Sequence, residues 1–169
     1  MINYNVIVVY DITEKKLLMC LRAKEPYKGK LNLVGGRIEP GETGEEAAYR
    51  ELYEETGISR DKIRLAHVMD LTYYMTDLSM EVWSGKLMTD VSHVALKEEI
   101  NHLLWVDRSE NFCDMERFAG ECNIEHILQH VDMDRDRTLL AADTFTADKL
   151  TADAFTADTL TSNTFTADT

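Results

Sequence analysis

The sequence predicts a mixed α/β domain, because segments with strand character alternate with two helical segments. Residues 2–10 and 17–22 are rich in β-branched and aromatic side chains, which favours strands. Residues 43–57 have the capping and the composition of a helix, and residues 123–131 repeat apolar side chains at helical spacing. We therefore expect strands and helices within one folded unit.

The boundaries of the predicted helices follow from their capping residues. Thr43 and Glu46 have the spacing of a capping box, and Gly57 stands where the first helix should end. Asn123 is a suitable N-cap for the second helix. Four further strands are predicted, at residues 31–34, 63–74, 78–87 and 103–106.

The last part of the chain differs in composition from the rest. From about Leu139 a motif of the type TADxF or TADxL repeats, so residues 1–138 are predicted to form the folded domain and residues 139–169 a tail. A period of five fits neither a helix nor a strand. The tail resembles pentapeptide-repeat proteins, although its phase differs from theirs. We interpret it as a low-complexity segment, disordered or loosely packed and outside catalysis; the alternative is an interaction or assembly tail.

The chain has a formal net charge of −13, which excludes one class of partner. Nucleic acid polymers are bound through their phosphates by basic surfaces, so no such polymer is expected here. A small nucleotide remains compatible, because it can arrive as its metal complex and then needs only a few local cations. No apolar run approaches the ~20 residues that span a bilayer, so we expect no membrane partner and a cytoplasmic location.

The three cysteines are Cys20, Cys113 and Cys122. Their number is odd and none of them forms a C-x-x-C pair, which argues against a disulfide framework. We therefore expect free, buried or half-buried thiols.

Three glutamates of the first helix, Glu51, Glu54 and Glu55, stand at i, i+3 and i+4 and so project from one side. Like charges at this spacing repel by a few tenths of a kcal/mol per pair, and carboxylates near a helix C-terminus oppose its dipole. A bound cation would convert this repulsion into coordination. Hard oxygen ligands indicate Mg²⁺ or Mn²⁺. The alternative is an ordinary solvated acidic face.

The flanking residues make this stretch similar to a known family. The segment GRIEPGETGEEAAYRELYEETGI matches every fixed position of the Nudix box, G-x5-E-x7-R-E-U-x-E-E-x-G-U, in which U is aliphatic. The matching residues are Gly36, Glu42, Arg50, Glu51, Leu52, Glu54, Glu55, Gly57 and Ile58.

This resemblance implies an α/β/α sandwich around a mixed sheet, and hydrolysis of a nucleoside diphosphate linked to another group. It implies that Glu51, Glu54 and Glu55 hold Mg²⁺ and that the carbonyl of Gly36 is a further ligand. The box arginine, Arg50, is held by salt bridges in the family and orients a glutamate. Glu99, upstream of the last strand, is a weaker candidate for an additional ligand or base, preferred over Glu98. Homodimers are common in the family.

A narrower resemblance concerns the segment LNLVGGRIEPGE, which looks like the corresponding part of enzymes that hydrolyse 8-oxo-purine nucleoside triphosphates. In that group an asparagine four residues before the box glycine contacts the base, and Asn32 matches it. Arg22 falls where the group carries a basic residue near the triphosphate, and Arg37 is a second phosphate candidate. A loop before the last helix also contributes to base binding there, which makes Phe118 and Glu121 candidates.

The function predicted from these residues is Mg²⁺-dependent hydrolysis of a nucleoside triphosphate, such as 8-oxo-dGTP, to the monophosphate and pyrophosphate. Glu51 is the candidate for orienting or deprotonating the attacking water. One alternative is hydrolysis of ADP-ribose or another nucleoside diphosphate derivative, which would release AMP and ribose 5-phosphate from ADP-ribose. The other is a non-catalytic module that senses a nucleotide.

Overall fold

The structure is a computed structural model that describes residues 2–135. The predicted tail, residues 139–169, lies outside the described residues, and so does the boundary after residue 138. Residues Met1–Val131 form one compact unit. Its elements are β1 (Ile2–Tyr10), β2 (Lys16–Leu21), β3 (Leu31–Leu33), α1 (Gly44–Thr56), β4 (Ile63–Tyr73), β5 (Leu78–Leu87) and β6 (His102–Asp107). A second helix, α2, begins at residue 123 and is described as far as residue 135.

The six strands form one mixed sheet. The order along its main path is β3-β2-β1-β5-β4, and β6 pairs with β2. The pair β1–β5 is parallel, whereas β1–β2, β2–β3, β2–β6 and β4–β5 are antiparallel. These strands confirm the predicted positions to within one or two residues.

The divergence of β1 and β2 determines the position of the segment that leads to α1. The two strands meet at the pair Tyr10–Leu17, next to the turn that joins them. Further along, β2 pairs with β3 instead. The chain that leaves β3 then returns to β1, where Ile7 bridges Val34 and Tyr4 bridges Arg37. The segment that precedes α1 is thus anchored on a central strand.

Apolar side chains on alternate positions of the strands form two separate cores. Ile7 and Val9 belong to the cluster that packs on Ala48 and Leu52 of α1. Val8 points to the other face, where it joins a cluster with apolar residues of α2. Alternation along a strand produces two faces, and each helix covers one of them. This arrangement confirms the predicted α/β/α sandwich with a mixed sheet.

Helix α1 has the predicted ends. The Thr43 side chain accepts from the main-chain N–H of Glu46, and the Glu46 side chain accepts from the N–H of Thr43, which completes the capping box. Gly57 ends the helix in the left-handed conformation, with φ of 75°. Glycine adopts this conformation without steric cost, so the sequence fixes the length of α1 through local interactions alone.

The prediction of three free thiols is wrong for two of them. Cys113 and Cys122 form a disulfide, and Cys20 is a free, buried cysteine. The paired cysteines are nine positions apart, a spacing that carries no recognised local signal. Burial raises the pKa of the Cys20 thiol to about 12.

Among the helices in the described part of the chain, none has the length and apolarity to cross a bilayer.

Candidate active site

Gly35 and Gly36 allow the loop before α1 to approach both β1 and the helix. At Gly35, where φ is 139°, a Cβ atom would lie 2.4 Å from the carbonyl oxygen of Asn5. At Gly36 a Cβ atom would lie 2.3 Å from the carboxylate carbon of Glu51. Gly35 therefore requires glycine, because the clash is with the backbone, whereas at Gly36 a Cβ atom would displace the Glu51 carboxylate. The Glu51 carboxylate therefore rests directly on the main chain of Gly36.

Arg50 connects this loop to the glutamates of α1. Its Nε and Nη2 atoms donate to the two carboxylate oxygens of Glu42, at 2.6 and 2.9 Å. Its Nη1 atom donates to Glu51 Oε1 at 2.8 Å and to Glu54 Oε2 at 3.0 Å. Nη2 also donates to the main-chain carbonyl of Arg37 at 2.9 Å. A single guanidinium thus orients three carboxylates and one loop carbonyl.

The charges in this network are strongly favoured. Hydrogen bonds from Arg50, together with one from the N–H of Glu39, lower the pKa of Glu42 to about 2. The hydrogen bonds that Arg50 donates to Glu42 and Glu51 raise the pKa of Arg50 above its already high ordinary value. Both side chains are therefore charged at neutral pH, and the bidentate pair is fixed in geometry as well as in charge.

Glu51 and Glu55 experience the opposite effect. Burial raises the pKa of Glu55, and the charges of Glu51 and Glu99 raise it further, against one N–H from Gly35 that donates to its Oε2 at 3.0 Å. Burial also raises the pKa of Glu51, with added repulsion from Glu54, despite its hydrogen bond to Arg50. Desolvation is the main cause of both shifts, so neither carboxylate is as well stabilised in its charged form as an exposed glutamate.

The donor chemistry of this region fits a hard divalent cation. Within residues 2–135, no three His, Cys, Asp or Glu side chains are already gathered as a metal site. Arg50 instead holds Glu51 and Glu54 in ion pairs. Carboxylate oxygens are nevertheless the ligands that Mg²⁺ and Mn²⁺ prefer, and a cation would relieve the repulsion between Glu51 and Glu55.

Glu98 and Glu99 lie in different environments. Glu98 Oε1 accepts from the N–H of Leu103 at 2.9 Å and pairs with Nδ1 of His102, so it is committed to the start of β6. Glu99 lines a small cleft together with Glu55, and its charge acts on that carboxylate. The structure therefore brings Glu99, and not Glu98, to the acidic group of α1.

The basic and amide candidates lie on the strands and loop that border the acidic group. The charge of Arg22 lowers the pKa of Glu55, although burial dominates that shift. Arg22 Nε is buried and has no hydrogen-bond partner among the described residues. Asn32 stands opposite Cys20 in the sheet, and its Oδ1 accepts from the N–H of Leu33 at 2.9 Å. The side chain of Arg37 is exposed.

The two candidates before α2 have different surroundings. Phe118 is 2% exposed and packs on Phe112, with ring centroids 4.9 Å apart, so its ring is part of the core. Glu121 is exposed, and its Oε1 accepts from the hydroxyl of Tyr27 at 3.3 Å. Tyr27 is not among the residues predicted from the sequence. An aromatic residue within an otherwise polar loop was the signal that marked it.

A second tyrosine contributes to the same group. Asn123 Nδ2 donates to the hydroxyl of Tyr73 at 3.2 Å. Burial raises the pKa of both Tyr27 and Tyr73, and the charge of Glu121 adds to each shift. Two tyrosines, a carboxylate and an amide thus meet between the loop after β2, the end of β4 and the start of α2.

Known proteins resemble this chain in sequence. The family model described as NUDIX domain matches residues 1–131. An ADP-ribose pyrophosphatase of Methanocaldococcus jannaschii is 34% identical over 93 residues, which is 47% of this chain and 55% of that protein. The 8-oxo-dGDP phosphatase NUDT18 of mouse is 38% identical over 65 residues, which is 38% of this chain and 20% of that protein. The matches span about half or less of these relatives.

Solved structures resemble the chain in fold. The Ap4A hydrolase of Caenorhabditis elegans superposes with a TM-score of 0.60 at 20% identity, over 79% of this chain and 97% of that one. At this identity the likeness concerns the fold alone.

Proposed function

This chain belongs to the NUDIX domain family, and we propose that it hydrolyses a nucleoside triphosphate with Mg²⁺, releasing the nucleoside monophosphate and pyrophosphate. Enzymes of this family act on pyrophosphate bonds of nucleotide derivatives and generally use divalent metal ions such as Mg²⁺. The observation that carries the proposal is the grouping of Glu51, Glu54 and Glu55 on α1, with Glu51 against Gly36 and Glu55 accepting from the N–H of Gly35.

The proposed ligands are Glu51, Glu54, Glu55 and the carbonyl of Gly36, with Glu99 as an additional candidate and Mn²⁺ as a substitute ion. When bound, the cation supplies activation of a water molecule and offsets the charge of the phosphates.

The chain's own residues provide position and a proton acceptor. Arg50 holds Glu51 Oε1, so the other carboxylate oxygen is the one proposed to take a proton from the attacking water. The buried Arg22 Nε supplies a donor for a phosphate oxygen, with Arg37 as a second donor from the exposed loop.

The proposed base is an oxidised purine, as in 8-oxo-dGTP. Asn32 offers the donors of its amide, and Glu121 offers a carboxylate that accepts from the N–H groups of a guanine-type edge. Phe118 is left out of this assignment because its ring is buried in the core. The likeness to an 8-oxo-dGDP phosphatase supports an oxidised guanine, although that relative is named for a diphosphate.

The second candidate substrate is ADP-ribose. It is favoured by the likeness to an archaeal ADP-ribose pyrophosphatase, whose matched segment is longer than that of the other relative. The same metal ligands would serve, and the products distinguish the two reactions. ADP-ribose would give AMP and ribose 5-phosphate without pyrophosphate.

The test is a product assay on 8-oxo-dGTP, 8-oxo-dGDP, dGTP, dCTP, ADP-ribose and diadenosine polyphosphates, with Mg²⁺ and with EDTA. Release of pyrophosphate from 8-oxo-dGTP that EDTA abolishes would support the proposal. AMP formed from ADP-ribose, with no pyrophosphate from any triphosphate, would replace it by the second candidate. Absence of turnover on the whole panel would favour a nucleotide-sensing module.

The metal assignment has its own test in Glu54→Gln. This change removes one carboxylate charge while it keeps the size of the side chain. We expect kcat/KM to fall by at least ~10²-fold, because the stabilisation of charge on the phosphates is reduced. Glu45→Gln is the matched control, since Glu45 lies on the same helix but pairs with Arg60. Equal activities of the two variants would refute the assignment.

A further inference from the structure

Gly36 is held from the β1 side by a single residue, Asn5, through two different groups. The main-chain N–H of Asn5 donates to the carbonyl of Gly36 at 2.8 Å. The N–H of Gly36 donates to the side-chain Oδ1 of Asn5 at 3.2 Å. Asn5 therefore fixes both polar groups of this glycine.

The second of these bonds departs from a regular antiparallel pair. Ile7 bridges Val34 and Tyr4 bridges Arg37 in antiparallel fashion, so Asn5 and Gly36 stand opposite each other in the same register. In such a pair the N–H of Gly36 would donate to the main-chain carbonyl of Asn5. Here the side-chain oxygen takes its place. The Asn5 side chain thus lets the chain deviate from the strand while its N–H remains bonded.

Fold stability does not account for an asparagine at this place. Asn5 is 1% exposed, and its Nδ2 has no hydrogen-bond partner in the described part of the chain. Its neighbours Ile7 and Val9 on the same strand are apolar and buried. A buried amide donor without a partner destabilises a fold relative to an apolar side chain of similar size. The benefit of Asn5 must therefore lie in what its Oδ1 holds.

Asn5 holds Gly36, which is next to one proposed metal ligand and provides another. The Glu51 carboxylate lies against the α-carbon of Gly36, and the Gly36 carbonyl is itself a proposed ligand. We propose that Asn5 is a positioning residue, which fixes the Gly36 peptide and thereby the carbonyl and the Glu51 carboxylate in the orientation that receives a divalent cation. This inference rests on the metal ligands of the proposed function.

The experiment measures Mn²⁺ binding to the full chain by electron paramagnetic resonance, and thermal unfolding of the same samples. Asn5→Leu replaces the amide by an apolar group with the same branching and number of heavy atoms, although it is larger. Asn5→Asp retains an oxygen at the Oδ1 position. Asn3→Leu is the matched control, because Asn3 lies on the same strand and holds the loop through its main-chain carbonyl, which accepts from Ile38 at 2.9 Å.

We expect Asn5→Leu to weaken Mn²⁺ binding by about tenfold or more, the range found when groups that orient metal ligands are removed. Asn3→Leu is expected to bind like the wild type, and Asn5→Asp at least as tightly. If Asn5→Leu does not fold, Asn5→Ser replaces it, since a serine hydroxyl is too short to reach Gly36. Binding by the folded variant within twofold of Asn3→Leu would overturn the inference.

Failure of the proposed function is recognised separately. If the wild type binds Mn²⁺ but hydrolyses none of the nucleotides, the proposed reaction is wrong, and the ratio of Mn²⁺ affinities still decides the role of Asn5. If the wild type binds no Mn²⁺, both proposals are overturned.

Discussion

The two loops that carry the candidate residues are held in different ways. Within residues 35–42 the Glu42 side chain is oriented from nearby in the sequence, by Arg50, whereas the main chain is anchored on β1 through Asn3 and Asn5. The loop of residues 113–122, here called the α2 loop, is fixed by distant partners. Leu31 exchanges main-chain hydrogen bonds with Arg117 and Ala119 at 2.9 Å.

This difference shows which contacts a local sequence motif can encode and which it cannot. In the first loop the groups that orient one another are close in sequence, so a motif records their arrangement. In the α2 loop, Glu121 meets Tyr27 across 94 positions of the chain. No local pattern records such a contact, so the base contacts proposed for this loop depend on the tertiary fold.

The largest expected effect is on stability, from Phe118→Ala in the α2 loop. Removal of a buried aromatic ring leaves a cavity, and such changes cost about 3–5 kcal/mol. Urea unfolding of the variant measures the loss. Tyr53→Ala on α1 is the control, because Tyr53 is 59% exposed and its removal should change stability by no more than about 0.5 kcal/mol. Equal losses would contradict the view that the α2 loop is anchored by the core.

A smaller free-energy change, confined to activity, is expected for Arg50→Lys on α1, the residue that binds Glu42 of the first loop. Lysine keeps the charge but cannot donate at once to Glu42, Glu51 and Glu54, so the carboxylates lose their relative positions. We expect kcat/KM to fall about 10²-fold, the order of effect produced by a misplacement of about 1 Å. Steady-state kinetics with Mg²⁺ measures it.

Arg60→Lys provides the comparison for that variant. Arg60 pairs with Glu45 and stacks over the Tyr49 ring, 4.1 Å from its centroid, away from the proposed ligands. Its kcat/KM should stay within about twofold of the wild type, as for surface substitutions in general. A comparable loss of kcat/KM in both variants would show that it results from a general weakening of the helix and not from loss of the Arg50 hydrogen bonds.

The smallest expected effect concerns the disulfide of the α2 loop. A crosslink that closes a short loop stabilises a domain by about 2–3 kcal/mol. Dithiothreitol should lower the unfolding free energy of the wild type by that amount and leave Cys113→Ser unaffected. Titration of denatured, unreduced wild type should detect a single thiol, that of Cys20. Three thiols would refute the pairing.

Helix α1 shows how much of this site could be predicted from the sequence. Its N-cap at Thr43, its end at Gly57 and the face shared by Glu51 and Glu55 all follow from interactions within four residues. The bond from Arg50 to Glu42 is longer in sequence, yet the motif contains both residues. The close contact of Glu51 with Gly36 could not be derived from spacing, because it depends on β1 holding the loop.

The α2 loop shows what the sequence does not provide. Phe118 is an aromatic residue of the kind that can stack on a base. Its main chain forms a bridge with Leu31, however, and its ring is buried in the core. Cys113 and Cys122 meet because the loop folds back before α2, which their spacing alone does not indicate. Whether Glu121 and Asn32 read a base, and where the domain ends, remain predictions.

The parallel pairing of β1 with β5 has a consequence for synthesis of the protein. β1 leaves the ribosome before the other strands of this sheet, yet its register partners are residues 78–86 of β5. Until β5 has emerged, one edge of β1 lacks the ladder that it has in the finished sheet. Contacts so distant in sequence form slowly, and an open strand edge invites pairing with other chains. A nascent chain that ends before β5 is therefore the species most in need of a chaperone.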